Sequence, residues 1–276
     1  MLTSTAELVA GAQAEGVGIA AFNGITLEHG EAIVAAAERT GNAVILALSH
    51  NAVRFHGALA PVAAAYRALA SAASVPVGLH LDHVQDFGLV EAAPDLGFGS
   101  VMFDAADLPY DDNVAATAAA ARELHRHGLW LEAELGEIGG KDGAHAPHVR
   151  TDPEEAASYV AQTRVDALAV AVGSSHAMTS ATAELDLDLV SKLRDAVAVP
   201  LVLHGSSGVS DAGISAAVRA GLVKINVGTQ LNIAYSAAVR AGNTDPGRPD
   251  PRPYLDDARR SMIAVVERLI TVIAAH

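Results

Sequence analysis

The sequence predicts an α/β fold in which residues 1–276 form one domain, a closed (β/α)8 barrel. Short apolar runs of strand-like composition alternate eight times with alanine-rich stretches of helical spacing. The length of 276 residues lies near the roughly 250 typical of one such barrel, and 51% of the residues are hydrophobic. Eight units in one chain favour a closed TIM barrel over an open doubly wound sheet.

The elements are expected in the following order along the chain. Residues 2–16 are expected to form an extra helix at the bottom of the barrel, and residues 254–275 a C-terminal helical tail. The polar, glycine-rich stretch 136–152 is expected to be a loop after the fifth strand. The eight expected strands cover residues 17–22, 43–49, 77–82, 99–104, 129–134, 166–172, 200–204 and 222–227.

The composition excludes several classes of function. A formal net charge of −14 argues against a general binder of nucleic acid or of anionic membranes, because those proteins use clustered lysine and arginine. Without cysteine, any metal must be held by nitrogen and oxygen atoms. We see neither a secretory signal nor an apolar run long enough to cross a bilayer, which fits a cytoplasmic protein.

Three histidines stand at the C-terminal ends of strand-like runs. They are His83 in LHLDH, His176 in VGSSH and His204 in LVLHGSSG. The carboxyl ends of parallel barrel strands meet at one mouth, so these side chains are expected to converge on a single catalytic metal.

Asp82 immediately precedes the first of these histidines. The period of two along a strand places His80 and Asp82 on one face, which is expected to be the barrel interior. A carboxylate beside a metal is well placed for general acid/base catalysis, or it can orient a metal ligand. His80 lies deeper in the barrel and is interpreted as structural.

The loops after the seventh and eighth strands contain small residues. In barrels of this kind these two loops form the usual phosphate site, where backbone N–H groups surround an anion. The alternative is that both loops are merely tight turns. Asn226 is expected to point inward towards a substrate oxygen. The residues expected at the phosphate site are Gly205, Ser206, Ser207, Gly228 and Thr229.

Two further carboxylates end strands. Asp104 ends the fourth strand and Glu134 the fifth. Each is expected either to bind a metal or to orient a metal ligand, and a salt bridge is the alternative.

Nine segments in a fixed order carry a resemblance to one family. The chain resembles the class II, metal-dependent fructose bisphosphate and tagatose bisphosphate aldolases over nearly its whole length. The segments are AFN at 21–23, VILALS at 44–49, LHLDH at 79–83, SVMFDA at 100–105, EAELGEIGG at 132–140, LAVAVGSSHAM at 168–178, LVLHGSSG at 201–208, KINVGT at 224–229 and DPRPYL at 250–255.

The resemblance implies a zinc-dependent, reversible aldol cleavage. The implied substrate is fructose 1,6-bisphosphate, and the products are dihydroxyacetone phosphate and an aldehyde such as glyceraldehyde 3-phosphate. His83, His176 and His204 would bind the zinc ion, and Asp82 would move the proton of the aldehyde oxygen. Asp104 and Glu134 correspond to a second cation position, divalent or monovalent.

The resemblance also implies the residues that bind the substrate. Asn226 would stabilise the enediolate, Ser49 would contact a phosphate, and Arg252 would reach the distal phosphate, in some members from a neighbouring subunit. The full implied set is Ser49, Ala177, Gly205, Ser206, Ser207, Asn226, Val227, Gly228, Thr229 and Arg252. The partners implied are a phosphorylated sugar and further copies of the chain, as a dimer or tetramer.

The sequence departs from the family pattern in three places. Family members usually carry a glutamate after the paired glycines of the loop, whereas here Asp142 would act as the base with a shorter side chain. The pair Ala106-Asp107 replaces a common serine and histidine, and Ala177 replaces a common glycine. These departures bear on the acceptor aldehyde more than on the metal chemistry.

Four other interpretations remain open at this stage. A tagatose-bisphosphate or other ketose-phosphate aldolase would use the same residues. A Schiff-base aldolase would need a lysine inside the barrel, and only Lys224 lies on an expected strand. A metal-dependent isomerase would use similar residues without carbon–carbon cleavage. A non-catalytic companion subunit of the same fold would have no reason to keep Asp82 and the three histidines.

Overall fold

The computed structural model describes residues 1–135, 150–174, 180, 182–244, 247 and 249–275. Eight parallel strands close into a barrel in chain order, and the last strand pairs with the first. This confirms the predicted (β/α)8 barrel. The strands are β1 (Ile19–Gly24), β2 (Val44–Ser49), β3 (Val77–Val84), β4 (Ser100–Phe103), β5 (Trp130–Glu134), β6 (Ala167–Ala169), β7 (Leu201–Leu203) and β8 (Leu222–Val227).

Helices surround the barrel and include the two predicted additions at the chain ends, α1 and α11. The helices are α1 (Thr5–Glu15), α2 (Leu27–Thr40), α3 (His50–His56), α4 (Leu59–Ala72), α5 (Phe87–Ala92), α6 (Tyr110–Arg126), α7 (Pro153–Thr163), α8 (Leu187–Ala196), α9 (Asp211–Ala220), α10 (Thr229–Gly242) and α11 (Arg252–Ile273). None of the described helices has the length and apolar character needed to cross a membrane.

The bottom of the barrel is apolar and is covered by α1. This helix begins with a capping box, in which Ser4 accepts from the backbone of Glu7 and the Glu7 carboxylate accepts in return from Ser4. Leu8 and Val9 of α1 are buried in a cluster with residues of the barrel strands. The strand members of this cluster are Ile19, Ala21, Ile45, Met102, Trp130, Ala167, Ala169, Val202 and Val223.

Inside the barrel, small residues also stand beside large polar ones. Ala47 is in register with His80 across β2 and β3, and Ala167 is in register with Glu132 across β5 and β6. All four residues are fully buried. The alanines leave room inside the closed barrel for side chains that a uniformly large interior would exclude. The sequence therefore builds an apolar lower interior and a polar upper interior.

The C-terminal helix α11 packs against α2 and α10 and closes the outer ring over β1. The backbone N–H of Gly18 donates to the carbonyl of Ile273 at 3.0 Å. A side chain at position 18 would meet the Ile273 side chain at 2.8 Å, so this approach requires glycine.

Candidate active site

Two consecutive residues of β3, Asp82 and His83, both reach the site. Strand alternation would send their side chains to opposite faces. His83 instead adopts a left-handed backbone with φ 50°, and the register between β3 and β4 shifts between Leu81 and Val84. Such a conformation is uncommon for a residue other than glycine, and residues held in sparsely populated backbone regions cluster at active sites. It brings the ring of His83 close to His204 at the end of β7.

The rings of His83 and His204 face each other through one nitrogen each. Nε2 of His83 lies 3.1 Å from Nδ1 of His204. The opposite nitrogens are held by carboxylates: His83 Nδ1 lies 2.9 Å from Asp104 Oδ2, and His204 Nε2 lies 2.9 Å from Glu132 Oε1. Carboxylates that hold the outer nitrogen of a histidine, and so fix its ring form, are the usual support of metal-binding histidines.

This arrangement favours a cation between the two rings. If both outer nitrogens donate to carboxylates, neutral rings would turn two lone pairs towards each other. Burial lowers the pKa of His83, but the carboxylates of Asp82, Asp104 and Glu134 outweigh it and raise the pKa to about 10. Burial lowers the pKa of His204. A proton on His83 therefore occupies a position that a metal ion also suits.

The spacing between the two rings can accommodate a metal ion. Two nitrogens bound to one tetrahedral zinc ion lie about 3.3 Å apart, close to the spacing found here. Ligand atoms of Asp82, His83 and His204 all lie within 4.8 Å of one another. A second group with the same property consists of His83, Asp104 and Glu134.

Asp82 is fully buried and held by two amides. Asn23 donates from Nδ2 to one carboxylate oxygen at 2.7 Å, and Asn226 donates to the other at 3.3 Å. Burial alone would raise the pKa of Asp82, but the charge of His83 and the neighbouring His80 and His204 hold it well below its usual range. Asp82 is therefore a carboxylate with fixed orientation beside the two facing histidines.

A cavity of about 490 Å³ opens beside this group, between the ends of β1, β2, β7 and β8. Gly205 takes a left-handed backbone with φ 67° and starts a short 3₁₀ turn, Ser206–Gly208. The hydroxyl of Ser206 donates to the carbonyl of Asn226 and so ties the two loops together. The cavity lining includes His204, Gly205, Ser206, Ser207, Asn226, Val227, Gly228 and Thr229.

Comparison with known proteins identifies the family. The family model described as "Fructose-bisphosphate aldolase class-II" matches residues 3–276. The chain belongs to this family. As an aldolase, the protein is a lyase that acts on phosphorylated sugars, and its two groups of potential metal ligands agree with the metal dependence of the family.

Relatives of the aldolase cover most of the chain. "Probable fructose-bisphosphate aldolase" of Bacillus subtilis (strain 168) is 36% identical over 266 residues, which span 95% of this chain and 93% of that protein. "Fructose-bisphosphate aldolase" of Geobacillus stearothermophilus is 38% identical over 250 residues, 89% of this chain and 87% of that one. The crystal structure of the YdjI aldolase from Escherichia coli K12 has a TM-score of 0.88 at 30% identity, covering 99% and 97%.

The aldolase structure brings together most of the site residues expected from the sequence. Ser49 caps α3 by accepting from the Ala52 backbone at 3.2 Å, and it lines the cavity. Arg252 lies at the start of α11, where its exposed guanidinium pairs with Asp250, and it is not among the described residues that line the cavity. Three expected residues lie outside the described part of the chain: Asp142, His176 and Ala177.

Sequence reasoning missed the contacts that three residues make with the site. Asn23 holds Asp82, Glu132 holds His204, and Lys224 donates to both Glu132 and Asn226. One signal was available for Glu132, because strand alternation places it on the inward face together with Glu134. The same alternation was available for Asn23, which lies on β1 two residues after Ala21 of the interior cluster.

Proposed function

We propose that this chain is a zinc-dependent aldolase that reversibly cleaves fructose 1,6-bisphosphate to dihydroxyacetone phosphate and glyceraldehyde 3-phosphate. The observation that carries the proposal is the pair of facing nitrogens on His83 and His204, with the fixed carboxylate of Asp82 within 4.8 Å. The names of the Bacillus and Geobacillus relatives point to the same substrate.

Zinc is proposed to be held by His83 and His204, with His176 as the third ligand. When bound there, a zinc ion supplies a Lewis acid that polarises the substrate ketone. Asp104 holds the outer nitrogen of His83, and with Glu134 it could instead bind a second cation, divalent or monovalent.

Asp82 is proposed to move the proton of the departing aldehyde. In the cleavage direction its carboxylate takes the proton from the C4 hydroxyl while the bond between C3 and C4 breaks. The aldehyde leaves, and the enediolate gains a proton at C3 to give dihydroxyacetone phosphate. Asn226 directs its amide Nδ2 towards this region and is proposed to donate to the enediolate oxygen. Asp142 is proposed to exchange the proton on carbon.

The cavity between the β7 and β8 loops is proposed to hold the phosphate of dihydroxyacetone phosphate. Anchoring this remote group converts binding energy into orientation at the reacting carbon. Ser49 on β2 also lines this cavity and is proposed to contact a substrate phosphate through its hydroxyl. Arg252 is proposed to contact the distal phosphate of substrate bound to a neighbouring subunit. The backbone groups proposed to surround the substrate belong to Ala177, Gly205, Ser206, Ser207, Val227, Gly228 and Thr229.

The test is cleavage of a panel of ketose phosphates, followed by the release of dihydroxyacetone phosphate. We expect release from fructose 1,6-bisphosphate that stops with EDTA and returns with zinc. Faster release from tagatose 1,6-bisphosphate would correct the substrate. Release that persists after complete removal of metal would contradict the zinc assignment. No release from any ketose, with zinc bound, would favour a companion subunit.

We further propose that the protein is cytoplasmic, that it forms a homo-oligomer, either a dimer or a tetramer, and that its reaction belongs to glycolysis.

A further inference from the structure

A lysine is fully buried in the centre of the barrel, where it touches neither solvent nor the cavity. Lys224 on β8 donates from Nζ to Glu132 Oε2 at 2.7 Å and to Asn226 Oδ1 at 2.6 Å. Glu132 on β5 is equally buried, and neither residue lines the cavity among the described residues. Removing both charges from water offsets most of the attraction between them, so such a pair is a poor means of stabilisation.

The pair connects two groups that belong to the site. On one side, the second oxygen of Glu132 lies 2.9 Å from His204 Nε2. On the other side, Lys224 donates to the side-chain oxygen Oδ1 of Asn226, whose side-chain nitrogen Nδ2 then faces Asp82 at 3.3 Å. A continuous chain of hydrogen bonds therefore runs from the histidine through the ion pair to the acid/base carboxylate.

The direction of each hydrogen bond in this chain follows from the chemistry of the pair. An ammonium group only donates, so Asn226 must turn its Oδ1 towards Lys224 and its Nδ2 away from it. A carboxylate only accepts, so His204 must carry its proton on Nε2. The lone pair of His204 is then on Nδ1, the atom that faces His83.

We propose that Glu132 and Lys224 are positioning residues that set the hydrogen-bond direction at both ends of the site. The pair keeps His204 in the ring form that binds a cation through Nδ1, and it keeps Asn226 presenting a donor to the substrate. This inference rests on the proposed function for the roles of His204 and Asn226. It adds to the proposed function the ion pair whose hydrogen bonds fix the ring form of His204 and the orientation of the Asn226 amide.

The variant Glu132→Gln tests, without any substrate, whether Glu132 sets the ring form of His204. Lys224 still points an N–H donor at position 132, so the introduced glutamine must give it the amide oxygen and turn its NH₂ towards His204. His204 must then accept at Nε2 and carry its proton on Nδ1. We expect the zinc affinity, measured by competition with a chromophoric chelator, to fall about 10–100-fold. An affinity within twofold of the wild type, in a folded variant, would overturn the proposal.

The double variant Glu132→Gln, Lys224→Met separates the effect of hydrogen-bond direction at His204 from the effect of losing the negative charge of Glu132. Without the lysine, the introduced glutamine is free to turn its oxygen to His204, so the zinc affinity should return to within a few-fold of the wild type. Asn226 no longer receives the hydrogen bond from Lys224 that orients its side-chain amide. At saturating zinc, kcat should therefore be roughly 10²–10³-fold below that of the wild type, while KM changes little. A double variant that binds zinc as weakly as Glu132→Gln would contradict the assignment of direction.

Two further measurements, a control variant and an NMR experiment, test the proposal without relying on catalytic activity. Thr5→Val removes another buried polar contact of the barrel, the 2.6 Å bond to Ser100, and should leave zinc affinity unchanged. Nitrogen NMR of the metal-free protein with ¹⁵N-histidine reads the proton position directly. The proton of His204 should be on Nε2 in the wild type and on Nδ1 in Glu132→Gln. The same ring form in both proteins would sink the inference, even if the wild type cleaved no ketose phosphate.

Discussion

The lower and upper halves of the barrel interior differ in chemistry although the same eight strands build both. The lower half is an apolar cluster covered by α1, with Ile45 fully buried among its members. The upper half contains Asp82, Glu132, His204 and Lys224, each nearly or fully buried. Apolar packing stabilises the fold, whereas buried charges contribute little net stability and hold directed hydrogen bonds. The lower half thus maintains the barrel, and the upper half carries the residues proposed to perform its chemistry.

The largest effect is expected from Asp82→Ala in the upper half. The variant loses the proposed general acid/base, so kcat for ketose cleavage should fall by about 10²–10⁴-fold. Zinc binding should persist, because His83 and His204 keep the carboxylates on their outer nitrogens. Steady-state kinetics and a chelator competition check both statements. Full cleavage activity in this variant would remove Asp82 from the mechanism.

Ile45→Ala in the lower half should show the opposite behaviour. Truncating this fully buried side chain is expected to lower the free energy of unfolding by about 2–5 kcal/mol. At a temperature where the variant stays folded, kcat should equal that of the wild type. Urea denaturation and kinetics on the same sample measure the two effects. A tenfold loss of kcat in folded protein would show that the two halves are not separable.

Ser4→Ala tests the cover of the lower half. The substitution removes the side-chain acceptor of the capping box at the start of α1. We expect the free energy of unfolding to fall by about 0.5–2 kcal/mol, with kcat unchanged. Gln13→Ala, a change near the other end of the same helix, serves as the control and should have no effect of this size. Equal stability of the two variants would show that the cap is dispensable.

The smallest effect concerns acid pH and a histidine beside the upper half. Burial lowers the pKa of His29, which lies near Asn232 and stacks on Tyr235. Below the unfolded pKa of about 6.5 the unfolded chain binds the proton more readily, so stability falls as the pH falls. We expect His29→Gln to reduce the loss of melting temperature between pH 7.5 and about 5.5.

The matched control for this pH experiment is His127→Gln, which changes an exposed histidine in the turn after α6. Its melting temperature should depend on pH as in the wild type. If His29→Gln and His127→Gln gave the same pH dependence, burial of His29 would not contribute to acid sensitivity.

The barrel could be predicted well from the sequence, because the patterns that indicate it lie within short segments of the chain. Strand periodicity and the spacing of helices reveal eight β/α units, and parallel strands necessarily gather His83 and His204 at one mouth. The left-handed backbone at His83 left no such signal, because nothing in its neighbours demands it. The bond between Glu132 and Lys224 joins residues 92 positions apart across the closed interior. Only the closed barrel reveals such a contact.

The pairing of β1 with β8 also has a consequence for synthesis on the ribosome. Ala21 is in register with Asn226, so the first strand must wait for about 200 further residues before its second neighbour exists. At about 5–20 residues per second this interval lasts roughly 10–40 s. During that time the nascent chain exposes an open edge of β1, a surface that chaperones recognise and that other chains can pair with.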